Sequence, residues 1–161
     1  MSGRHTRGVQ AIIKNTCPSA SYMHCARHTL NLVVNEACEI RAIRNTQGTV
    51  QEICSFFNSS AKRTHKLQTS IEEACPKTSH SRLKSLCATR WVQRHETVNI
   101  VLELYPGVLL ALEILSEEKD RDTSLKAESF LTAICDTQFI MSLLCMHKAS
   151  CLLLPASKQL H

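Results

Sequence analysis

Cys25 and His28, in the stretch YMHCARHTLNLVV, place a thiol and an imidazole three residues apart at the start of an apolar run. Such a pair can begin a zinc site, form a nucleophile with its base, face a nucleic acid, or line the polar mouth of a buried helix. Zinc needs three or four ligands converging at about 2.0–2.3 Å, and its strong signature is two closely spaced pairs. Here the pair is single. Cys17, His24 and the distant Cys145-x-His147 are the available complements, and none makes a second knuckle. The metal reading therefore yields to one in which Cys25 packs and His28 hydrogen-bonds, with no metal and no other cofactor expected. A Cys–His nucleophile would also need an oxyanion donor and a residue orienting His28, and the sequence offers neither.

A second constellation is LKSLCATRWVQRHE, where Arg90, Arg94 and His95 surround the only tryptophan, Trp91. Arginines contact phosphates and an indole stacks on an unpaired base, a combination suited to single-stranded or flipped nucleotides. The alternative, which spacing alone favours, is a tryptophan anchoring a helix in the core with arginines snorkelling beside it. Two-metal phosphoryl chemistry would require several convergent carboxylates. The chain has no aspartate before Asp120; Asp120 and Asp122 fall in a charged loop and Asp136 in a helical pattern. Cleavage by this chain alone is not expected, and no catalytic residue is assigned.

Charge points the same way. Residues 1–97 carry 14 Lys/Arg against 6 Glu, whereas 98–161 carry 5 against 8 acids, so the overall +5 is concentrated in the first part. A basic region of this kind suits a polyanion such as DNA, or is simply a solvated face. Nine cysteines, an odd number spread among apolar helical positions, read as reduced thiols of the cytosol or nucleus. No secretory signal opens the chain, and the apolar tract Phe139 to Leu154, interrupted by His147 and Lys148, falls short of the roughly 20 residues that cross a bilayer, so no membrane partner is expected.

The elements that must position these groups are mainly helical, since four glycines and four prolines leave long uninterrupted segments. RGVQAIIKN predicts a short helix. SYMHC is the one strand candidate, and from Ala26 the apolar residues Leu30, Val33, Val34 and Ala37 take up helical spacing. A turn is expected near Gly48, then a helix through Val50, Ile53, Cys54 and Phe57 with a basic continuation to Pro76. A polar loop, KTSHS, separates the halves. Trp91, His95, Val98, Leu102 and Tyr105 share one helical face up to Pro106, and Val108 to Leu115 forms another segment. The acidic SEEKDRD, residues 116–122, marks the best internal boundary, placed at 116–124, with Asp122 or Thr123 capping the helix that follows.

Five blocks in this order, MSGRHTRGVQAIIKN, YMHCARHTLNLVV, FFNSSAKRTHKL, LKSLCATRWVQRHETV and LLLPASKQL, resemble hAT-type DNA transposases. They are more similar still to the domesticated relatives, the MYM-type zinc-finger proteins and the repressor-of-the-inhibitor-of-protein-kinase-like proteins. The resemblance implies a ribonuclease-H-like α/β core interrupted by a helical insertion, and DNA cleavage by an Asp-Asp-Glu triad. On that pattern residues 1–45 are a partial core (short helix, strand, helix) and 46–161 are insertion-like. The resemblance makes Cys25, His28 and Trp91, with Arg90 as a neighbour, candidate DNA contacts, and the arginine–tryptophan constellation adds Arg94. It puts the triad outside this chain, and the protein in the nucleus. The expectation is an internal, transposon-derived piece without cutting residues that binds DNA through region 1–97. The alternatives are a helical module whose exposed apolar faces hold a protein partner or a second copy, and a decayed reading frame with no selected function.

Overall fold

The computed structural model describes residues 8–23, 25–37, 39–85 and 91–159, with the backbone alone for residues 27, 31, 91–94 and 156–158. Eight helices make up the described chain: α1 Val9–Thr16, α2 Ala26–Ala37, α3 Arg41–Asn58, α4 Ala61–Ala74, α5 Trp91–Glu103, α6 Tyr105–Ser116, α7 Arg121–Cys135 and α8 Thr137–Gln159. The expectation of a mainly helical protein holds.

The core follows from two runs of i, i+3, i+4, i+7 apolar spacing, in α3 and α6, and an i, i+4 pair in α4. Val50, Ile53, Cys54 and Phe57 are the buried face of α3; Leu67 and Ile71 do the same for α4; Val108, Ala111, Leu112 and Leu115 make α6 the most buried helix of the set. α6 packs against α4 on one side and α7 on the other. α8 then returns across α3 and α5, adding Phe139, Leu143 and Met146 to the same core. The Thr137–Pro155 part of α8, with mean hydropathy 1.3, is long and apolar enough to cross a membrane by length and composition. That corrects the sequence expectation, which treated His147 and Lys148 as sufficient interruption. In this fold the helix has one face in the core and leaves Ile140, Met141, Leu144 and Leu152 exposed on the other.

Several local expectations shift. No strand forms among the described residues: Ser21, Tyr22, Met23 and Cys25 have no regular structure, because a strand needs a second strand to complete its ladder and none lies beside this segment among the described residues. His24 lies outside the described residues. Gly48 does not make a turn but sits inside α3, where the helix hydrogen bonds and flanking buried residues outweigh its entropy cost of about 1 kcal/mol. The break comes later, at Ser59–Ser60, so the basic continuation is a separate helix. Its corner is tied by the Thr64 hydroxyl, which donates to the carbonyls of Phe57 (2.8 Å) and Ser60 (3.0 Å).

Tyr105 opens α6 instead of closing α5, because Pro106 has no N–H to give the carbonyl one turn back. The two helices meet at 63° with Leu104 fully buried in the corner. The Tyr105 hydroxyl donates to the Ile134 carbonyl at 2.8 Å. The cap of α7 is Asp120, ahead of the Asp122 or Thr123 expected; its carboxylate accepts the Thr123 hydroxyl at 2.6 Å, and that bond holds the acid below its ordinary range.

Candidate nucleic-acid interface

The Cys25–His28 block and the Trp91 block belong to α2 and α5, and these two helices touch. Cys25 stands just before α2, where its carbonyl accepts the Thr29 amide at 3.0 Å and the Thr29 hydroxyl at 3.3 Å. Cys25 and His28 are both exposed, one helical turn apart. Cys25 therefore does not pack as the purely structural reading expected. The contact of α2 with α5 brings the two blocks to neighbouring helices. Trp91 and Arg94 occupy the first turn of α5, with their side chains beyond description, and Arg90 lies outside the described residues. His95 is 9% exposed on the inner face of α5, with its Nε2 3.1 Å from the Asn99 amide nitrogen. Among the described residues, no three His, Cys, Asp or Glu side chains converge as a metal site.

The cations of the basic region divide into two kinds. Arg63 is committed to structure: its Nε donates to the Phe56 carbonyl at 2.8 Å, one Nη to Ser59 Oγ at 2.7 Å, and the guanidinium lies 4.4 Å from the centre of the Phe56 ring. That ring in turn meets Phe130 edge-on at 5.3 Å. Lys62 pairs with Glu118 at 2.8 Å, Arg44 with Glu39 at 3.6 Å, and Lys84 with Glu96, whose carboxyl its hydrogen bond holds below the usual range. Lys14, Arg41, Lys66, Lys77 and Arg82 have no carboxylate within ion-pair distance among the described residues. These are the cations a polyanion would meet.

One feature was missed at the sequence level. The segment 79–84, which joins the end of the polar loop KTSHS to the start of the LKSLCATRWVQRHE block, forms a wall opposite α4, and the two border an open groove of about 900 Å³. Leu83, 6% exposed, is the peg that holds this wall, and the Cys54 thiol donates to the Lys84 carbonyl at 3.3 Å. The available signal was Arg82-Leu83-Lys84, a single apolar residue between two cations in an otherwise polar stretch.

Cys54 is itself fully buried, and burial pushes its thiol from 9.0 up to about 11. Unfolding frees the thiol to ionise at its ordinary value, so this group stabilises the fold fully below pH 9 and progressively less as pH rises from 9 towards 11. The expected loss across that window is about 3 kcal/mol, which urea unfolding at pH 8 and pH 11 of the parent and a Cys54→Ala variant would read as a difference in slope with pH. Iodoacetamide at pH 8 should label exposed Cys17, Cys25 and Cys145 while sparing Cys54 until the chain is unfolded. Labelling of Cys54 at the rate of Cys145 would contradict the burial.

The segment from residue 23 to residue 137 matches the family described as the ZBED1 RNase-like helical domain. The chain belongs to the ZBED1 RNase-like helical domain family. The match starts in the connection before α2 and ends at the first residue of α8. Among curated proteins, the chain is 24% identical over 136 residues to the 52 kDa repressor of the inhibitor of the protein kinase of Homo sapiens, covering 78% of this chain and 17% of that protein. The Mus musculus protein of the same name matches at 24% over 136 residues, with 78% of this chain and 18% of the relative covered. The chain thus spans under a fifth of the length of these relatives. No solved structure matches at a significant level. Membership of the ZBED1-type family bears out the kinship with hAT transposase-derived proteins that the five sequence blocks implied.

Proposed function

We propose that this ZBED1-type domain is a nuclear DNA-binding module of transposon origin that does not cut DNA. The observation that carries the reading is the set of unpaired cations on the basic part of the chain, in a sequence with no aspartate before Asp120. Residues 1–45 are the part related to the ribonuclease-H-like core, and 46–161 the part related to the helical insertion, with an internal division at 116–124, around the connection between α6 and α7. The exposure of Val9, Ile12 and Ile13 on α1 and of Leu32 and Val33 on α2 supports this, since a core remnant should keep the apolar face that once met a sheet. The α2–α5 contact places the helix that begins beside Cys25 and carries His28 next to the helix whose first turn holds Trp91 and Arg94, which supports these four, with Arg90, as candidate DNA contacts.

Binding through these cations should be weak and little dependent on sequence, because counterion release supplies most of it. With about four phosphates neutralised, affinity for a labelled duplex should fall on the order of a hundredfold between 50 and 200 mM salt. Fluorescence anisotropy measures this. Affinity unchanged across that range, or no binding at 50 mM, counts against the reading, and metal-dependent nicking abolished by mutating one acid of this chain refutes the absence of cutting.

The same exposed faces of α1 and α2, with that of α8, favour a second reading as a protein-interaction module. A clean monomer on size-exclusion that binds no hydrophobic dye would sink it.

A further inference from the structure

We propose that the groove between α4 and the 79–84 wall is a binding site for the phosphodiester backbone of a nucleic acid, with Arg82 on the wall and His65 on the helix as its main donors. This rests on the DNA-binding reading and assigns it a place. Asn58, His65, Gln68, His80 and Arg82 supply N–H donors along the groove, and no carboxylate lines it among the described residues.

Two acids beside the groove are already engaged. Glu96 holds Lys84, and Glu103 accepts the Thr78 hydroxyl and lies 3.9 Å from His80. Arg82, exposed and without an ion-pair partner among the described residues, keeps its full charge for a ligand.

The wall is set before any ligand arrives. Leu83 anchors it in the core, the Cys54 thiol holds the Lys84 carbonyl, and the Thr97 hydroxyl donates to the Ser85 carbonyl at 3.4 Å. Binding therefore orders little backbone, and that preorganisation favours affinity.

The chemistry of the lining names the ligand class. No Phe, Tyr or Trp lines the groove among the described residues, so the broad stacking platforms used for bases are missing, and its N–H donors suit phosphate oxygens. A trough of about 900 Å³ open to solvent fits a run of backbone better than a single anion, which would need an enclosing nest.

The test is anisotropy of a labelled 20-base-pair duplex with the whole chain at several salt concentrations. Arg82→Gln should weaken binding about tenfold at 50 mM salt and lower the salt slope by about one; adding His65→Gln should weaken it further. Lys126→Gln, which removes one exposed cation from α7, should stay within twofold of the parent. Thermal melts of each variant check that these exposed substitutions leave the fold intact. If the parent binds but Arg82→Gln and the double variant behave like Lys126→Gln, the groove is refuted and the DNA-binding reading stands. A parent that binds no DNA at 50 mM salt overturns both. Inorganic phosphate at constant ionic strength should fail to displace the duplex at 10 mM; displacement at that concentration would make free phosphate the ligand and overturn the assignment to a backbone.

Discussion

Phe57→Ala should destabilise the protein by about 3–5 kcal/mol, the range for emptying a buried aromatic site. Phe57 is 1% exposed and sits one residue before the end of α3. Its ring meets Phe56 edge-on at 5.5 Å, and through Phe56 it belongs to the stack that continues to Phe130 and Arg63. Three helices converge there, so the neighbours cannot close the space without moving α4. For a chain of this size the loss corresponds to a fall in Tm of roughly 6–20 °C. Because the Phe57 carbonyl also anchors the Thr64 hydroxyl, the damage reaches the α3–α4 corner, where the groove begins at Asn58. A loss below about 1 kcal/mol in urea unfolding would mean that the site collapses around alanine.

The second large effect concerns two glycines that a sequence cannot tell apart. A Cβ at Gly107 would lie 2.9 Å from both Cα and Cγ1 of Ile71 and 3.3 Å from its backbone nitrogen. The obstacle is the backbone of α4, so α6 would have to lift away from it. Gly107→Val is therefore expected to cost about 3 kcal/mol, at the upper end for overpacking. At Gly48, exposed within α3, a Cβ meets nothing within 4 Å. Gly48→Ala should stabilise by about 0.5–1 kcal/mol through helix propensity alone. Opposite signs in paired thermal melts are the expected result; a loss at Gly48, or tolerance at Gly107, would contradict the packing.

These glycines mark the limit of what periodicity reveals. The buried faces of α3 and α6 were legible because apolar residues recur every three or four positions, and Pro106 announced the corner between α5 and α6. Gly48 read as a turn because local propensity argued for one, and only tertiary packing across α3 overrides it. SYMHC read as a strand from its residue types, yet a strand is a property of two segments, and its partner is not in the described residues. The kinship was legible in the block order. The division of the cations was not: Arg63 looks like Arg82 in sequence, but one spends its donors on Phe56 and Ser59 and the other faces solvent. The groove was illegible for the same reason, since it exists only where Leu83 pins a returning segment opposite α4.

The way α8 closes over α3 also sets a timetable. The last contributors to the core, Phe139, Leu143 and Met146, come from a helix that begins at Thr137, roughly 80 residues after α3 ends, and synthesis proceeds at about 5–20 residues per second. On the ribosome, the apolar side of α3 must therefore wait on the order of 4–16 s for its cover. During that interval Val50 and its neighbours are open to chaperones and to other nascent chains, so the yield of native protein depends on how well that delay is guarded as well as on the stability reached at its end.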